Sequence, residues 1–412
     1  MMKVLVLAPH FPYPHNTGAK TRTYNILKRL AGQHDVTFAC MTRDRVASDH
    51  LDHLHALCSA AYVAQEPGAR PWRKVGWLAG SRPYHASMFW SPRLRDMVQA
   101  LLAQNRYDVV YCNFLYTAQY LPESTRAAPL VAVDQHNADH LVWQDMRAKD
   151  PNPLIRLMAT RNLAATRRYE DRQYPKFDLC FSVSEEDAEA TRRIAPPDLS
   201  IRVAPNGVDT SRFVPQLELE PARRTLLFFG GMNARMNRDA VLYLMEDILP
   251  LVRERVPDVC MNIVGPNPPP AVRRLGASPG VTVVGEVPDV RPYIASCTLV
   301  VAPVRMGGGT KVKVLESMAM GKAVVATAHA CQGLDVQDGR DVAVADSAEA
   351  IAEKVVWLLG DEQARRRIGA AARLTVEHSY SWEAIAESIM GELTSALEEK
   401  KKALAPSGLG AT

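Results

Sequence analysis

No stretch of roughly 18 consecutive apolar residues occurs in the 412-residue chain, so no segment has the length of a membrane-spanning helix. The opening MMKVLVLAPHFPYP has an apolar run that stops at Pro9, with no small-residue cleavage site after it, and does not read as a signal peptide. Paired cysteines are also missing. Cys40, Cys58, Cys112, Cys180, Cys260, Cys297 and Cys331 are scattered and none forms a CxxC. This argues against a disulfide framework or a zinc knuckle and for reduced core thiols in a cytoplasmic protein. Strong charge of one sign is lacking too: the net charge is +4, with 25 Lys and Arg against 20 Asp and Glu in residues 1–200 and 24 against 25 in the remainder. That balance is not the footprint of a nucleic-acid binder, while the mildly basic first half suits weak attraction to an anionic membrane face.

What is present is alternation. Short apolar runs of strand length recur between helical patterns, first in residues 1–204 and again in 225–378. In the first half the strands are expected at Val4–Ala8, Asp35–Cys40, Asp108–Cys112, Leu130–Val133, Asp178–Ser184 and Ile201–Ala204. The helix after the first strand opens at Gly18 and closes at Gly32. In residues 66–100, Pro67, Gly68, Pro71, Pro83 and Pro92 break any long element, with Trp72, Trp77, Phe89 and Trp90 adding apolar bulk. Residues 205–224, with Asn206–Gly207 read as a turn, look like a linker. Strands follow at LLFF, 259–265, 281–285, Leu299–Val304 and Ala323–Thr327. A last amphipathic helix covers 379–402, and the tail 403–412 reads as disordered. At this length two domains are expected, each a doubly wound parallel sheet, facing each other across a cleft.

The most informative stretch is LVVAPVRMGGGTKVKVLESMAMGKAVVAT, residues 299–327. It reads as strand, glycine loop, helix, strand. The loop is neither GxGxxG nor a Walker A sequence, so by itself it is weak evidence. A helix N-terminus behind Gly307, Gly308 and Gly309, with Thr310 as candidate N-cap, offers free N–H groups to an anion. Lys311 and Lys313 add charge suited to a diphosphate, and Glu316 one turn in can accept both hydroxyls of a ribose. Val312, Leu315 and Ala319 are spaced to face the core. The alternative for Lys313 and Glu316 is a surface ion pair worth about 0.2–0.5 kcal/mol.

Outside this stretch, ligands of parallel sheets bind beyond the carboxyl ends of the strands. That places the loop Asn16–Lys20, with Gly18, and the run His136–Asn137 at such an end. A lone His there is also compatible with a structural, hydrogen-bonded role. The segment Leu154–Tyr174 is a helix carrying Arg156, Arg161, Arg167, Arg168 and Arg172 among Leu, Met and Tyr. A basic amphipathic helix can lie on a membrane surface, although a solvated helix face is the commoner reason for such a pattern.

These pieces together resemble the retaining glycosyltransferases of family 4, which have the GT-B fold of two Rossmann-like domains. The opening strand with its Gly18 loop, His136–Asn137, PNGVD (205–209), Phe229–Gly230 and GGGTKVKVLESMAMGKAVVAT (307–327) carry the resemblance, in order, over roughly residues 1–395. It implies a UDP- or GDP-sugar donor held mainly by the second domain and a hydroxyl acceptor, glycan or lipid-linked, with peripheral inner-membrane contact possible. It also implies transfer with retention, no metal and no cofactor beyond the donor. His136, Lys311 and Arg235 become the catalytic candidates. Gly18, Asn137, Gly308, Gly309, Thr310, Lys313 and Glu316 become the donor-binding ones. The final helix is expected to cross back to the first domain. Three positions depart from the family pattern: Gly308 stands where a Glu is common, and Gly231 and Met236 where Arg and Lys are common. Two other readings remain, a sugar-nucleotide epimerase of the same architecture and a non-catalytic nucleotide-sugar-binding protein of a polysaccharide assembly.

Overall fold

The computed structural model describes residues 1–14, 17–66, 82–123, 127–150, 152–216, 224–307 and 312–404. The chain divides into two compact units, residues 1–204 with 386–412, and residues 205–385.

The first unit is built on a seven-stranded sheet. Its strands are β1 (Lys3–Ala8), β2 (Asp35–Thr42), β3 (Ala60–Gln65), β4 (Val109–Asn113), β5 (Leu130–Gln135), β6 (Leu179–Ser182) and β7 (Ser200–Val203). They are all parallel, in the order β3-β2-β1-β4-β5-β6-β7. Val4 faces Val36 on one side and Val109 on the other, and β1 and β4 are buried along most of their length. Near-continuous apolar strands of this kind need helices on both faces. These are α1 (Gly18–Gln33), α2 (Ser48–Leu57), α3 (Tyr84–Met88), α4 (Pro92–Gln104), α5 (Asp139–Lys149), α6 (Pro153–Gln173) and α7 (Glu185–Arg192).

Two expectations change here. Pro92 does not break a helix but starts one: it opens α4, with the Ser91 hydroxyl accepting from Leu94 N–H at 3.0 Å. The first turn of a helix has no use for that N–H, and the fixed φ of proline suits it. β3, AAYVAQ, is not among the expected strands; it is an edge strand whose residues are mostly half-exposed or exposed, and only Ala64 is buried.

The second unit has β8 (Thr225–Phe229), β9 (Cys260–Val264), β10 (Val281–Gly285), β11 (Leu299–Ala302), β12 (Val324–Ala326) and β13 (Ala343–Val344). They too are parallel, in the order β10-β9-β8-β11-β12-β13. The helices that position the candidate site are α8 (Arg235–Tyr243), continued through a π turn and α9 (Leu249–Arg255), and α10 (Val312–Ala319). Two further helices, α11 (Ala348–Gly360) and α12 (Glu362–Ser379), precede the last, α13 (Trp382–Leu404).

Gly207 is not a turn residue. A Cβ there would come within 2.8 Å of the Trp382 and Ile385 side chains, while Val208 N–H bonds to Tyr380 O at 2.8 Å. The glycine of PNGVD therefore lets the backbone lie directly on the start of α13. Further along α13, Lys400 pairs with Asp178, Lys401 with Asp108 at 3.2 Å, and Arg202 with Glu392 at 2.9 Å, all within the first unit.

Candidate active site

In each sheet the strand order reverses between two neighbours whose following loops diverge, leaving a crevice at the carboxyl ends. In the first unit those neighbours are β1 and β4, and in the second β8 and β11. The candidate residues cluster at these two points.

Just past β5, His136 is buried and stacks on Phe114, ring centres 3.7 Å apart. Phe114 directly follows β4 and has φ 69°, a conformation that L residues rarely adopt. Its N–H bonds to Asp134 O at 2.8 Å, and its ring continues the stack onto Tyr116 and then Phe89. His10 also meets Phe114, edge-on at 5.9 Å. The Nε2 atoms of His10 and His136 are both buried without a hydrogen-bond partner. Burial lowers the affinity of both rings for a proton, His10 to about 4; for His136 the neighbouring Asp134 opposes that shift.

Beneath them is a fully buried ion pair. Arg22 on α1 reaches Asp134 through Nη2 at 2.6 Å and Nε at 2.9 Å. Burial disfavours the Asp134 charge, but Arg22, with help from His136, holds the carboxyl well below the usual carboxylate range. Asp134 Oδ2 stands 3.5 Å from His136 Nε2, too long for a good hydrogen bond. Asn113 and Thr23 complete the network, with Thr23 Oγ1 donating to Asn113 Oδ1 at 2.9 Å. Asn137 is half-buried beside His136, and Gly18 is exposed at the first position of α1 behind the Thr17 cap.

In the second unit, β8 is followed directly by Gly230, with φ 148°. A Cβ on it would meet Asn237 Nδ2 at 2.9 Å and Lys313 Nζ at 3.1 Å, so the missing side chain is what lets the lysine lie across the strand end. Lys313 Nζ donates to Asn237 Oδ1 at 2.6 Å and sits 4.2 Å over the Phe228 ring. Asn237 donates in turn to Gly231 O at 2.8 Å. In the loop after β11, Gly307 has φ 94°, and a Cβ there would lie 2.5 Å from Met236 Cε. Met236, one of the departures from the family pattern, thus fills space against the glycine loop instead of offering charge. Arg235 is exposed at the first position of α8.

Glu316 is half-buried on α10, one turn after Lys313. Burial raises its carboxyl to about 7, with the charges of Arg212 and Lys313 partly offsetting the shift. The inward face of α10 is Val314, Leu315, Met318 and Ala319; Val312 is only half-buried, so the stripe is rotated from the expected one. Gly308, Gly309, Thr310 and Lys311 lie outside the described residues, as does Asn16.

Thus the structure brings His136 together with Asp134, Arg22, Phe114 and His10, and Lys313 together with Asn237 and Gly230. Sequence reasoning missed Arg22, Asp134, Phe114, His10 and Asn237. A signal existed for one of them: Asp134 is a charge closing the apolar run LVAV, and a carboxylate in a buried strand needs a partner.

Two parallel-sheet α/β units, with polar groups gathered at the reversal point of each sheet, make up the GT-B architecture. Residues 16–212 match the model of Glycosyltransferase Family 4, and residues 223–361 that of Glycosyl transferases group 1. The chain belongs to the family 4, group 1 glycosyltransferases. It is 19% identical over 95% of its length to the whole of an uncharacterized 44.6 kDa protein in the cps region of Klebsiella pneumoniae. It is 32% identical over 201 residues to the phosphatidyl-myo-inositol mannosyltransferase of Mycobacterium tuberculosis, an alignment covering 45% of this chain and 52% of that one. Among solved structures, Anabaena HepE in complex with UDP-glucose is similar with a TM-score of 0.64 at 17% identity, over 96% of this chain and all of that one. No helix among the described residues is long and apolar enough to cross a membrane.

Proposed function

We propose that this glycosyltransferase moves a sugar from a UDP- or GDP-sugar to a hydroxyl of a glycan or lipid-linked acceptor, with retention at the anomeric carbon. The observation that carries the reading is the pairing on α10 of a lysine turned onto the end of β8 with a half-buried carboxylate one turn later. A cation and an acceptor-only carboxylate at that separation suit a diphosphate and the adjoining ribose. The solved complex of HepE with UDP-glucose supports the choice of ligand class.

In this reading the anomeric carbon–oxygen bond to the diphosphate breaks as the acceptor oxygen bonds from the same face. The acceptor proton passes to an oxygen of the departing phosphate, so no protein base is required. Negative charge grows on that phosphate, and donors aimed at it lower the barrier. Lys311, Lys313 and Arg235, with the amides of Gly308, Gly309 and Thr310, are assigned that role. Glu316 holds the ribose. His136, uncharged at neutral pH through its burial, and Asn137 contact the transferred sugar, with Gly18 admitting the donor close to the backbone. No metal and no cofactor besides the donor take part. A cytoplasmic place in cell-envelope polysaccharide or glycolipid synthesis, with peripheral membrane contact, fits a hydroxyl acceptor and the Klebsiella relative.

The test is a thermal-shift screen of nucleotide sugars. A donor at 100 times its Kd is expected to add about 2.7 kcal/mol of stability. Failure of every UDP- and GDP-sugar to shift the midpoint defeats the proposal. Release of UDP or GDP only with acceptor present separates transfer from epimerisation, and absence of any turnover favours the non-catalytic reading.

A further inference from the structure

Helices α5 and α6 pack on one another as a hairpin, tied by His140 Nδ1 and Glu170 Oε1, 3.1 Å apart and buried. Its inner face on α6 is Ala159, Asn162, Leu163, Thr166 and Glu170. Leu154, Leu157 and Met158 lie on another face, in the first two turns after the hairpin's tip, and are 68%, 69% and 41% exposed. Their spacing of three and four residues stacks them on one surface. With Val142 on α5 they make four of the ten exposed large hydrophobic side chains among the described residues. Single exposed apolar residues are ordinary, but a stripe of them on successive turns needs an occupant.

The charge around the stripe says which. Arg147 and Arg156 are exposed beside it, and Arg167 and Arg168 are exposed further along α6. Of the two carboxylates on α6, Glu170 is spent internally on His140, leaving Asp171 in the last turn; nearer the tip, Asp145 and Asp150 stand against Arg147, Arg156 and Arg161, and Asp150 accepts from Asn152 N–H at 2.9 Å. The apolar stripe stands in the first turns beyond the hairpin's tip with arginines beside it, the pattern that inserts between anionic lipid headgroups. We propose that the α5–α6 tip docks on an anionic lipid bilayer, with Leu154, Leu157 and Met158 entering the interface and Arg147 and Arg156 on the headgroups. The sequence pattern alone favoured a solvated face; the exposure of the leucines reverses that. The proposal goes beyond sugar transfer and does not depend on it.

The test is co-sedimentation of the full chain with vesicles of phosphatidylcholine alone, or of phosphatidylcholine mixed with phosphatidylglycerol. Binding is expected to the mixed vesicles and at least about tenfold more weakly to the neutral ones. The double variant Leu154→Ser, Leu157→Ser is expected to lose about tenfold or more of the partitioning, as is Arg147→Glu, Arg156→Glu. Thermal midpoints stay unchanged, because all four side chains are exposed. Equal binding to both vesicles, no binding, or unaltered binding of the serine variant overturns the proposal. So does a serine variant whose only change is loss of self-association, since the face is then a protein interface. If no nucleotide sugar shifts the midpoint while vesicle binding persists, the transferase reading fails and this one stands.

Discussion

The imidazole of His136 and the phenyl of Phe114 lie face to face at 3.7 Å, and the phenyl is held there by a backbone at φ 69°. Two residues that follow adjacent strands thus orient one another at the point where the first sheet reverses. Backbone strain of this kind costs of order 1–3 kcal/mol and persists where the surroundings demand it. Phe114→Gly removes the strain and also the packing of a half-buried ring, roughly 1.5–3 kcal/mol. The two nearly cancel, so the variant is expected to melt within about 1 kcal/mol of the parent. Its turnover is expected to fall by about tenfold or more, because the His136 ring loses the surface that orients it. A denaturant titration beside a kcat measurement checks both, and unchanged turnover removes Phe114 from the site.

Asp134 and Arg22 are fully buried, so breaking the pair leaves one charge without compensation. Asp134→Asn is expected to cost about 3–5 kcal/mol, and the joint change Asp134→Leu, Arg22→Met much less. The pair also sets a pH dependence. The folded-state proton affinity of Asp134 is depressed, so its contribution is present above the ordinary carboxylate value of 3.8 and is lost as pH falls below it. Urea melts at neutral and acid pH measure this, and a difference between parent and double variant that ignores pH contradicts it.

Glu316 has the opposite sign. Its folded-state value is raised from 4.5 to about 7, so its contribution to stability is full below 4.5 and lost as pH rises through about 7. Glu316→Gln is therefore expected to melt higher than the parent at alkaline pH, by at most about 3 kcal/mol, and to match it in acid. A carboxylate gripping ribose hydroxyls must be ionised, so UDP affinity is expected to climb as pH passes about 7. Calorimetric titrations across that range decide the matter: a flat profile in the parent removes Glu316 from ribose binding.

Gly207→Ala places a methyl 2.8 Å from Trp382 and Ile385. Overpacking of this order is expected to cost about 1–3 kcal/mol. Thermal unfolding reads it, and a neutral effect shows that the start of α13 yields more easily than its packing implies.

The parallel direction of both sheets was legible in the sequence because buried parallel strands are written as short apolar runs between helical patterns; the strand order was not. Edge strand β3 is not among the expected strands, although AAYVA is apolar; at the sheet's edge only its Ala64 is buried. Gly18, His136 and Asn137, and Arg235, Lys313 and Glu316, could be named in advance because each sits at a strand end or in the first turns of a helix. The sequence by itself settled that the chain is a two-domain α/β protein of the GT-B kind with a lysine and a glutamate one turn apart on a helix behind glycines. Only the tertiary structure decided that Asp134 is neutralised by Arg22, that Phe114 carries His136, and that Met236 fills the space beside Gly307. It also decided that Leu154 and Leu157 of α6 face outward while Leu163 is buried. Those are contacts between residues far apart in the chain, and their energies depend on burial and distance, which no local pattern encodes.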